Sequence, residues 1–189
     1  SLGGGTGQLV FASTRSGIPQ LYLVNADGTD LTQLTIMERG ACQPSWSPDG
    51  SQLVFISPCL GRADFLETIY NESSLYIINA DGSGLKQLTL SPGSDFEPAW
   101  SPDGERIAFT SVRGGFRQIY SLDIESLEIT LLTNTTSAIE SSQASWSPDG
   151  SKIAYVVKRV GTYQVWSMNE DRQESVQLTH SGQELWDYL

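Results

Sequence analysis

A five-residue phrase, Trp-Ser-Pro-Asp-Gly, occurs three times in the chain, at Trp46 to Gly50, Trp100 to Gly104 and Trp146 to Gly150. Each copy is followed by a short apolar run, and the copies are separated by 54 and 46 residues. A repeat of this period indicates structural units that stack side by side. The fold therefore has to contain several equivalent units.

The chemistry of the phrase is that of a tight turn between two strands. Pro fixes φ at the second turn position, Asp suits the third, and Gly supplies the positive φ that leads into the next strand. The tryptophans Trp46, Trp100 and Trp146 occupy equivalent positions. Identical placement in every unit favours packing between units over ligand binding for these rings.

Three other features recur after each apolar run. A loop carries a basic residue near Gly, at Arg15, Arg113 and Arg159. Next comes a stretch that alternates in the strand manner, starting at Gln20, Ser74, Gln118 and Gln164. Each unit closes on Leu-Thr, ending at Thr35, Thr89, Thr133 and Thr179. The order predicts four units of four short antiparallel strands, an all-β β-propeller with four blades.

The Trp-Ser-Pro-Asp-Gly turn, the following Ile-Ala-Phe-type strand, the Arg-Gly loop and the Asp-Gly turn before Leu-Thr resemble the repeats of TolB-like proteins. The resemblance covers residues 8–189, which we expect to form one propeller domain. Residues 1–7 hold four glycines and are interpreted as a flexible linker or a cloning remnant. The resemblance implies an extracytoplasmic scaffold that interacts with other proteins, and an array that has no enzymatic activity.

The array begins on a second strand, because Gln8 to Ser13 matches the run that follows the turn elsewhere. Gln183 to Trp186 matches Gln43 to Trp46, which predicts that the C-terminus supplies the missing innermost strand of the first blade. Pairing the two ends would leave no open sheet edge. The alternative is that two chains each contribute half of an eight-bladed propeller, so the chain is expected to be a monomer or a homodimer.

Both tight turn types join strands at one end of the blades, and loops of variable length lie at the other end. We expect binding at the variable-loop end and at the mouth of the central channel. Residues three positions before each Trp on the innermost strand are predicted to line that mouth: Gln43, Glu97, Gln143 and Gln183. Structural and binding roles are equally compatible with this polar ring.

Two further groups are candidates at the loop end. The arginines Arg15, Arg113 and Arg159, with Arg62 as a possible fourth, are expected mainly to bridge neighbouring blades through carbonyls or carboxylates. Residues that break the repeat are better candidates for specific contacts with a partner: Glu38, Arg39, Asp95, Phe96 and the stretch Asp64 to Glu67.

The net charge limits the classes of molecule that the chain is expected to bind. Eleven Lys and Arg against 22 Asp and Glu leave a net charge of −11 and a pI near 4.3, which is unsuited to phosphate backbones. No apolar run approaches the ~20 residues that cross a bilayer, and the start lacks a signal-peptide pattern, so we expect no membrane insertion. A protein or a peptide is the expected partner.

Residue types for catalysis or metal binding are sparse. The single histidine, His180, follows the last Leu-Thr, and no G-x-S-x-G motif is present. One His and two Cys lack the spacing of a zinc site, and the Asp-Gly turns lack the 12-residue calcium pattern. We therefore predict no cofactor, no metal and no catalytic residues.

Cys42 and Cys59 flank the hairpin of the second blade, where symmetric pairing would place Cys42 opposite about residue 56. A disulfide is geometrically plausible and slightly favoured over two free thiols, and it would imply an oxidising compartment. Asn71 to Ser73 and Asn134 to Thr136 match the short N-glycosylation pattern, which also arises by chance.

Three functional hypotheses remain open on the sequence. The first is a non-catalytic interaction module that binds a protein or a peptide through the loop end. The second is a sensing domain of a membrane receptor or kinase. The third is a gating propeller from a serine peptidase related to prolyl oligopeptidase, since similar propellers cover such enzymes.

Overall fold

The structure is a computed structural model that describes residues 7–59, 72–90, 93–134, 139–169, 171 and 174–180. These residues form antiparallel sheets whose strands follow chain order. The first sheet contains β1 (Gln8–Ser13), β2 (Gln20–Asn25) and β3 (Thr32–Gln33). The second contains β4 (Cys42–Trp46), β5 (Gln52–Ser57), β6 (Ser74–Asn79) and β7 (Lys86–Gln87). The third contains β8 (Asp95–Trp100), β9 (Arg106–Ser111), β10 (Gln118–Asp123) and β11 (Ile129–Leu131). The fourth contains β12 (Ile139–Trp146), β13 (Lys152–Arg159), β14 (Thr162–Asn169) and β15 (Ser175–Gln177).

The all-β architecture and the four-stranded antiparallel unit are confirmed in the second, third and fourth sheets. In the first sheet, three strands lie within the described residues. Its predicted innermost strand, Gln183 to Trp186, lies outside those residues, so the closure of the ring stays a prediction. At the other end, the Gly7 carbonyl accepts a hydrogen bond of 2.7 Å from the Ala26 amide. Gly7 is thus hydrogen-bonded to the first sheet, in contrast to the linker expected over residues 1–7.

The repeated phrase forms the hairpin turns that the sequence predicts. It connects β4 to β5, β8 to β9 and β12 to β13, and its glycines Gly50, Gly104 and Gly150 have φ of 71°, 79° and 73°. In the first of these turns, the Gly50 amide donates to the Ser47 carbonyl at 3.0 Å. A side chain with a Cβ adopts this backbone region with difficulty, which explains the glycine.

The Leu-Thr pair at the end of each unit has a specific role that sequence reasoning missed. In every unit the threonine hydroxyl oxygen accepts a hydrogen bond of 2.9 to 3.0 Å from a backbone amide of β2, β6, β10 or β14. The four pairs are Thr35 with Leu21, Thr89 with Leu75, Thr133 with Ile119, and Thr179 with Val165. Each threonine therefore fastens the short outer segment to its sheet after the ladder ends.

Consecutive sheets pack face to face through apolar side chains. Alternate residues of one strand serve the two faces, so Phe55 packs toward the first sheet and Val54 toward the third. Trp46 and Trp100 are buried in these two clusters, which confirms the packing role predicted for them. Trp146 packs between the third and fourth sheets, where its Nε1 donates to the Ala99 carbonyl at 3.3 Å.

The described strands and connections include no helix, and hence no helical segment long and apolar enough to cross a membrane.

Candidate functional site

The variable loops gather at one end of the sheets, opposite the tight turns. Because neighbouring strands are antiparallel, this end holds the strand ends that are joined by the connections β1–β2, β5–β6, β9–β10 and β13–β14 and by the connections β3–β4, β7–β8 and β11–β12. We call this surface the loop end and the opposite surface the turn end. All the candidate binding residues that the structure describes lie at or near the loop end.

The polar ring predicted at the channel mouth lies on three equivalent β-bulges. Gln43, Glu97 and Gln143 have positive φ values of 52°, 55° and 56°, and the strand register shifts at each of them. A bulge leaves a backbone amide without its ladder partner. For the amides of Glu97 and Gln143, the preceding sheet supplies that partner.

Side chains of this ring connect one innermost strand to the next. The Glu97 amide donates to Gln43 Oε1 at 2.7 Å, and the Gln143 amide donates to Glu97 Oε2 at 2.9 Å. Thr110 Oγ1 also donates to Glu97 Oε2 at 2.7 Å. For Gln43 and Glu97 the geometry supports the structural alternative, since their acceptor oxygens are used within the fold. The fourth member, Gln183, lies outside the described residues.

Arg113 forms the most elaborate polar cluster of the loop end. Its Nη2 contacts both carboxylate oxygens of Asp95, at 2.8 and 3.0 Å, and its Nε donates to Ser111 Oγ. Ser111 Oγ in turn donates to Asp95 Oδ1 at 2.6 Å. The guanidinium lies over the rings of Phe109 and Tyr120, 5.4 and 5.1 Å from their centroids. Burial raises the pKa of Tyr120; the positive charge of Arg113 opposes this shift and the negative charge of Asp95 adds to it.

Arg15 and Arg159 occupy the equivalent loops and also stack on aromatic rings of their own sheets. Arg15 lies 4.7 Å from the centroid of Tyr22, and Arg159 lies 5.4 Å from that of Trp166. The expectation that these arginines bridge neighbouring blades is therefore corrected. A guanidinium group stacks favourably on the electron-rich face of a ring, and that ring belongs to the adjacent strand of the same blade.

Four residues that break the repeat have different environments. Glu38 and Arg39 are exposed, and Arg39 pairs with Glu72 at 3.1 Å. Asp95 is fully buried and Phe96 is 6% exposed. The expectation that Asp95 and Phe96 contact a partner is corrected, because a buried carboxylate paired with Arg113 and a buried ring are parts of the core. The insertion residues Arg62 and Asp64 to Glu67 lie outside the described residues.

Sequence reasoning overlooked Arg117. This residue precedes β10, where the other units have Pro19, Ser73 and Tyr163, so no repeat singled it out. Its guanidinium lies 5.7 Å from the centroid of Phe96, and its carbonyl accepts a hydrogen bond of 2.9 Å from the Ser141 amide. The sequence signal that could have identified Arg117 is its positive charge in the connection between β9 and β10.

Cys42 and Cys59 form a disulfide with a Cα–Cα distance of 5.9 Å. It joins the start of β4 to the loop after β5, and the Cys59 amide donates to the Arg39 carbonyl at 2.8 Å. Gly40 allows this close approach, because a Cβ at that position would lie 2.7 Å from the Cys59 carbonyl oxygen. The bond thus holds the β3–β4 loop, which carries Glu38 and Arg39, against the second sheet.

The residues that could serve metal or acid–base chemistry are dispersed in the described part of the chain. No group of three His, Cys, Asp or Glu side chains there is placed to hold a metal ion. His180 is exposed after β15. Of the two glycosylation patterns, Asn134 is exposed and described, whereas Asn71, Thr135 and Thr136 are outside the described residues.

Known proteins share both the sequence pattern and the fold. Residues 64–185 match the family model of the TolB beta propeller domain. The TolB homologue of Chlorobium luteolum is 30% identical over 61% of this chain and 34% of its own length. The Tol-Pal system protein TolB of Bordetella pertussis is 34% identical over 62% of this chain and 35% of its own.

Among solved structures, TolB from Acinetobacter baumannii superposes with a TM-score of 0.76 at 27% identity, covering 92% of this chain and 41% of that one. The chain therefore spans about a third of the length of the curated relatives that it matches. Its four sheets correspond to a part of the longer TolB chain.

Proposed function

Because the chain belongs to the TolB beta propeller domain family, we propose that it is a non-catalytic interaction module that binds a protein or a peptide through its loop end. One observation carries the proposal. The aspartates of the turn end recur between units and accept hydrogen bonds within their own turns, as Asp49 and Asp81 do, whereas the loop end exposes charged side chains that break the repeat, Glu38 and Arg39. A rigid stack of sheets with exposed polar and charged side chains on its variable loops is a favourable surface for recognition.

The contacts within the sheets support rigidity at this end. The Glu97 amide donates to the Gln43 side chain and the Gln143 amide donates to the Glu97 side chain, and these bonds join three innermost strands at the predicted channel mouth. The disulfide of Cys42 and Cys59 fixes one of the loops. A surface that is ordered before binding loses less conformational entropy when a partner docks.

We further propose that the module works outside the cytoplasm. The disulfide supports this location, because such bonds persist in oxidising compartments. The relationship to a Tol-Pal system protein supports a protein partner rather than a small substrate. Nucleic acid is not part of the proposal, since a chain with a net charge of −11 is unsuited to neutralising an extended phosphate backbone.

Site-specific photocrosslinking tests the proposed surface. A benzophenone amino acid replaces Glu38 or Arg15 at the loop end. The matched controls carry it in place of Asp81 or Glu125 at the turn end, and all four variants are produced in the source organism. We expect defined protein adducts from the loop-end positions and none from the turn end. Adducts only from the turn end, or from no position, would contradict the proposal. Hydrolysis of an ester or peptide panel by the purified chain would contradict its non-catalytic character.

A further inference from the structure

Charge is distributed unevenly between the two ends of the described sheets. The loop end carries five acidic residues and six basic ones, which are Arg15, Arg39, Arg113, Arg117, Lys158 and Arg159. The turn end carries three basic residues, Lys86, Arg106 and Lys152. Its acidic residues number twelve: Asp27, Asp30, Asp49, Asp81, Asp103, Glu105, Asp123, Glu125, Glu128, Asp149, Asp171 and Glu174. The net charge of −11 therefore resides largely at the turn end.

This separation matters at physiological ionic strength. The eight residues of β13 span about 26 Å at ~3.3 Å per residue. The Debye length at 0.15 M salt is about 8 Å, so the acidic turn end is screened from the loop end. An anionic ligand at the loop end then responds to the local arginines.

The third sheet shows how this fold satisfies a loop-end arginine. Asp95 is paired across the strands with Ser111, and its buried carboxylate contacts the Arg113 guanidinium at 2.8 Å. The same guanidinium stacks on Phe109 and Tyr120. The aromatic rings and the carboxylate together fix the arginine and neutralise its charge.

The fourth sheet repeats this arrangement without the carboxylate. Ser141 pairs with Val157 across the strands, at the position where Asp95 pairs with Ser111 in the third sheet. Arg159 lies two residues after Val157, just as Arg113 lies two residues after Ser111. Arg159 stacks on Trp166, and among the described residues no carboxylate pairs with it. The Ser141 side chain is completely buried, and within the same described part of the chain its Oγ has no hydrogen-bond partner.

A second arginine borders this position. Arg117 adjoins Ser141 through the hydrogen bond from the Ser141 amide to the Arg117 carbonyl. Its guanidinium stacks on Phe96 and likewise has no carboxylate partner among the described residues. By contrast, the neighbouring Lys158 faces Glu140 at 3.9 Å. Arg117 and Arg159 are the cations of this region that remain without a counter-charge from the described chain.

We propose that the loop end of the third and fourth sheets binds an acidic peptide segment, one of whose carboxylates pairs with Arg159. This carboxylate supplies to Arg159 the counter-charge that Asp95 supplies to Arg113 in the third sheet. Serine stands at the position of that aspartate in the fourth sheet, so the chain contributes no carboxylate of its own there. Arg117 binds a second acidic group of the segment. The inference rests on the proposed function and specifies its partner class.

Fluorescence anisotropy with a fluorescein-labelled hexaglutamate peptide tests the inference on the intact chain at 0.15 M salt. We expect hexaglutamate to bind and hexaglutamine and hexalysine not to bind. Arg159→Gln is expected to weaken binding about tenfold, the effect of losing one charge-assisted pair at ~1.4 kcal/mol. Lys152→Gln at the turn end is the matched control and is expected to leave binding unchanged. Equal binding of hexaglutamate by Arg159→Gln and the native chain would overturn the proposal.

Ser141→Asp supplies a sharper variant, because it restores the carboxylate that the third sheet has. We expect it to abolish hexaglutamate binding while Arg159 is still present. Ser141→Ala leaves that position without a carboxylate and is the matched control, expected to change neither binding nor the melting temperature, since the hydroxyl is buried and unpaired. If Ser141→Asp fails to fold, Arg159→Gln and Arg159→Lys test the role of Arg159 in hexaglutamate binding. Arg159→Lys is expected to bind hexaglutamate less tightly than the native chain, because lysine lacks the planar guanidinium.

Two outcomes separate this inference from the proposed function. Loop-end crosslinks to a protein partner, together with no difference between hexaglutamate and hexaglutamine, would reject the acidic partner and retain the interaction module. The absence of loop-end crosslinks would reject the module itself. Competition by inorganic phosphate that equals competition by free hexaglutamate would show a general anion site and overturn the assignment to a peptide.

Discussion

At the scale of single residues, the turn aspartates are the most strongly perturbed acids of the described chain. Asp49 Oδ1 accepts hydrogen bonds from Ser47 Oγ at 2.6 Å, from the Ser51 amide at 3.0 Å and from Ser51 Oγ. These bonds, the one from Ser47 above all, lower the pKa of Asp49 to about 2. Asp149 has the same surroundings, and its pKa is also lowered to about 2. The phrase thus stabilises the ionised form of its aspartate.

We predict an acid-dependent loss of stability from these turns. The pKa of the folded state lies below the unfolded value near 3.9, so ionised Asp49 and Asp149 contribute stability above about pH 4. That contribution disappears as the pH falls toward about 2. Thermal melts of the native chain and of Asp49→Asn should differ at pH 7, with the variant less stable, and should converge near pH 2. A constant difference across this range would contradict the linkage.

Glu97 is the second residue on which the fold depends locally. It adopts a positive φ of 55° and accepts bonds from both the Gln143 amide and Thr110 Oγ1. We predict that Glu97→Ala lowers the free energy of unfolding by about 2 kcal/mol, because it removes the acceptor of the buried Thr110 hydroxyl and one acceptor of the Gln143 amide. Glu97→Gln keeps an acceptor oxygen, as Gln43 does, and should cost less than half as much. Urea titration of both variants checks the order.

At the scale of elements, the hairpin of β4 and β5 carries the disulfide. Cys42 and Cys59 are 17 residues apart, and closing a loop of this length stabilises a protein by about 3 kcal/mol in the chain-entropy model. We predict that the double variant Cys42→Ala with Cys59→Ala lowers the free energy of unfolding by about this amount. The native chain with and without reductant provides the control, and the double variant should not respond to reductant. Equal stability of native and variant chains would show that the bond contributes little.

The outer strands show how an element can be short and still belong to its sheet. Strands β3 and β7 contain two residues each, fewer than a stable ladder needs. The hydroxyls of Thr35 and Thr89 extend the attachment by accepting the Leu21 and Leu75 amides. The threonine of each Leu-Thr pair therefore attaches the outer segment to its sheet. The sequence shows the pair as a repeat but does not show this hydrogen bond.

At the scale of the whole molecule, hydrogen bonds join the innermost strands β4, β8 and β12 in series. The Gln43 side chain accepts a bond from the Glu97 amide, and the Glu97 side chain accepts one from the Gln143 amide. In the fourth sheet the apolar Val165 is half-buried, whereas the equivalent Leu75 and Ile119 are completely buried by a following sheet. The fourth sheet thus presents a face that a further strand would cover.

We predict that Gln183 to Trp186 supply this strand, as the repeat indicates. Trp186→Ala should then lower the free energy of unfolding by about 3 kcal/mol, the cost of deleting a buried ring. Sedimentation velocity separates the two architectures, since a closed four-bladed ring is expected to be a monomer and an eight-bladed assembly a dimer of the chain. Unchanged stability of Trp186→Ala would reject the assignment of this strand. Tyr163→Ala, which alters an exposed ring, is the control.

Much of the fold could be predicted because the repeat carries local chemistry. Pro48 and Gly50 determine a turn wherever they stand, and alternation at Leu53 to Ile56 determines a strand. The candidate site was less predictable. Asp95 broke the repeat and attracted attention as a surface contact, yet it is buried against Arg113. Arg117 broke no pattern, and its stacking on Phe96 depends on a strand 21 residues earlier in the chain.

The sequence by itself determined the unit: its turns, its strands, its period and its total charge, all of which follow from residues within a few positions of one another. Only the tertiary structure decided which side chains the fold uses internally. Gln43 and Glu97 serve the neighbouring sheet, Arg113 is neutralised by Asp95, and Arg159 has no such carboxylate among the described residues. These differences arise from contacts between strands far apart in sequence. Identical repeats acquire different roles because each has different neighbours.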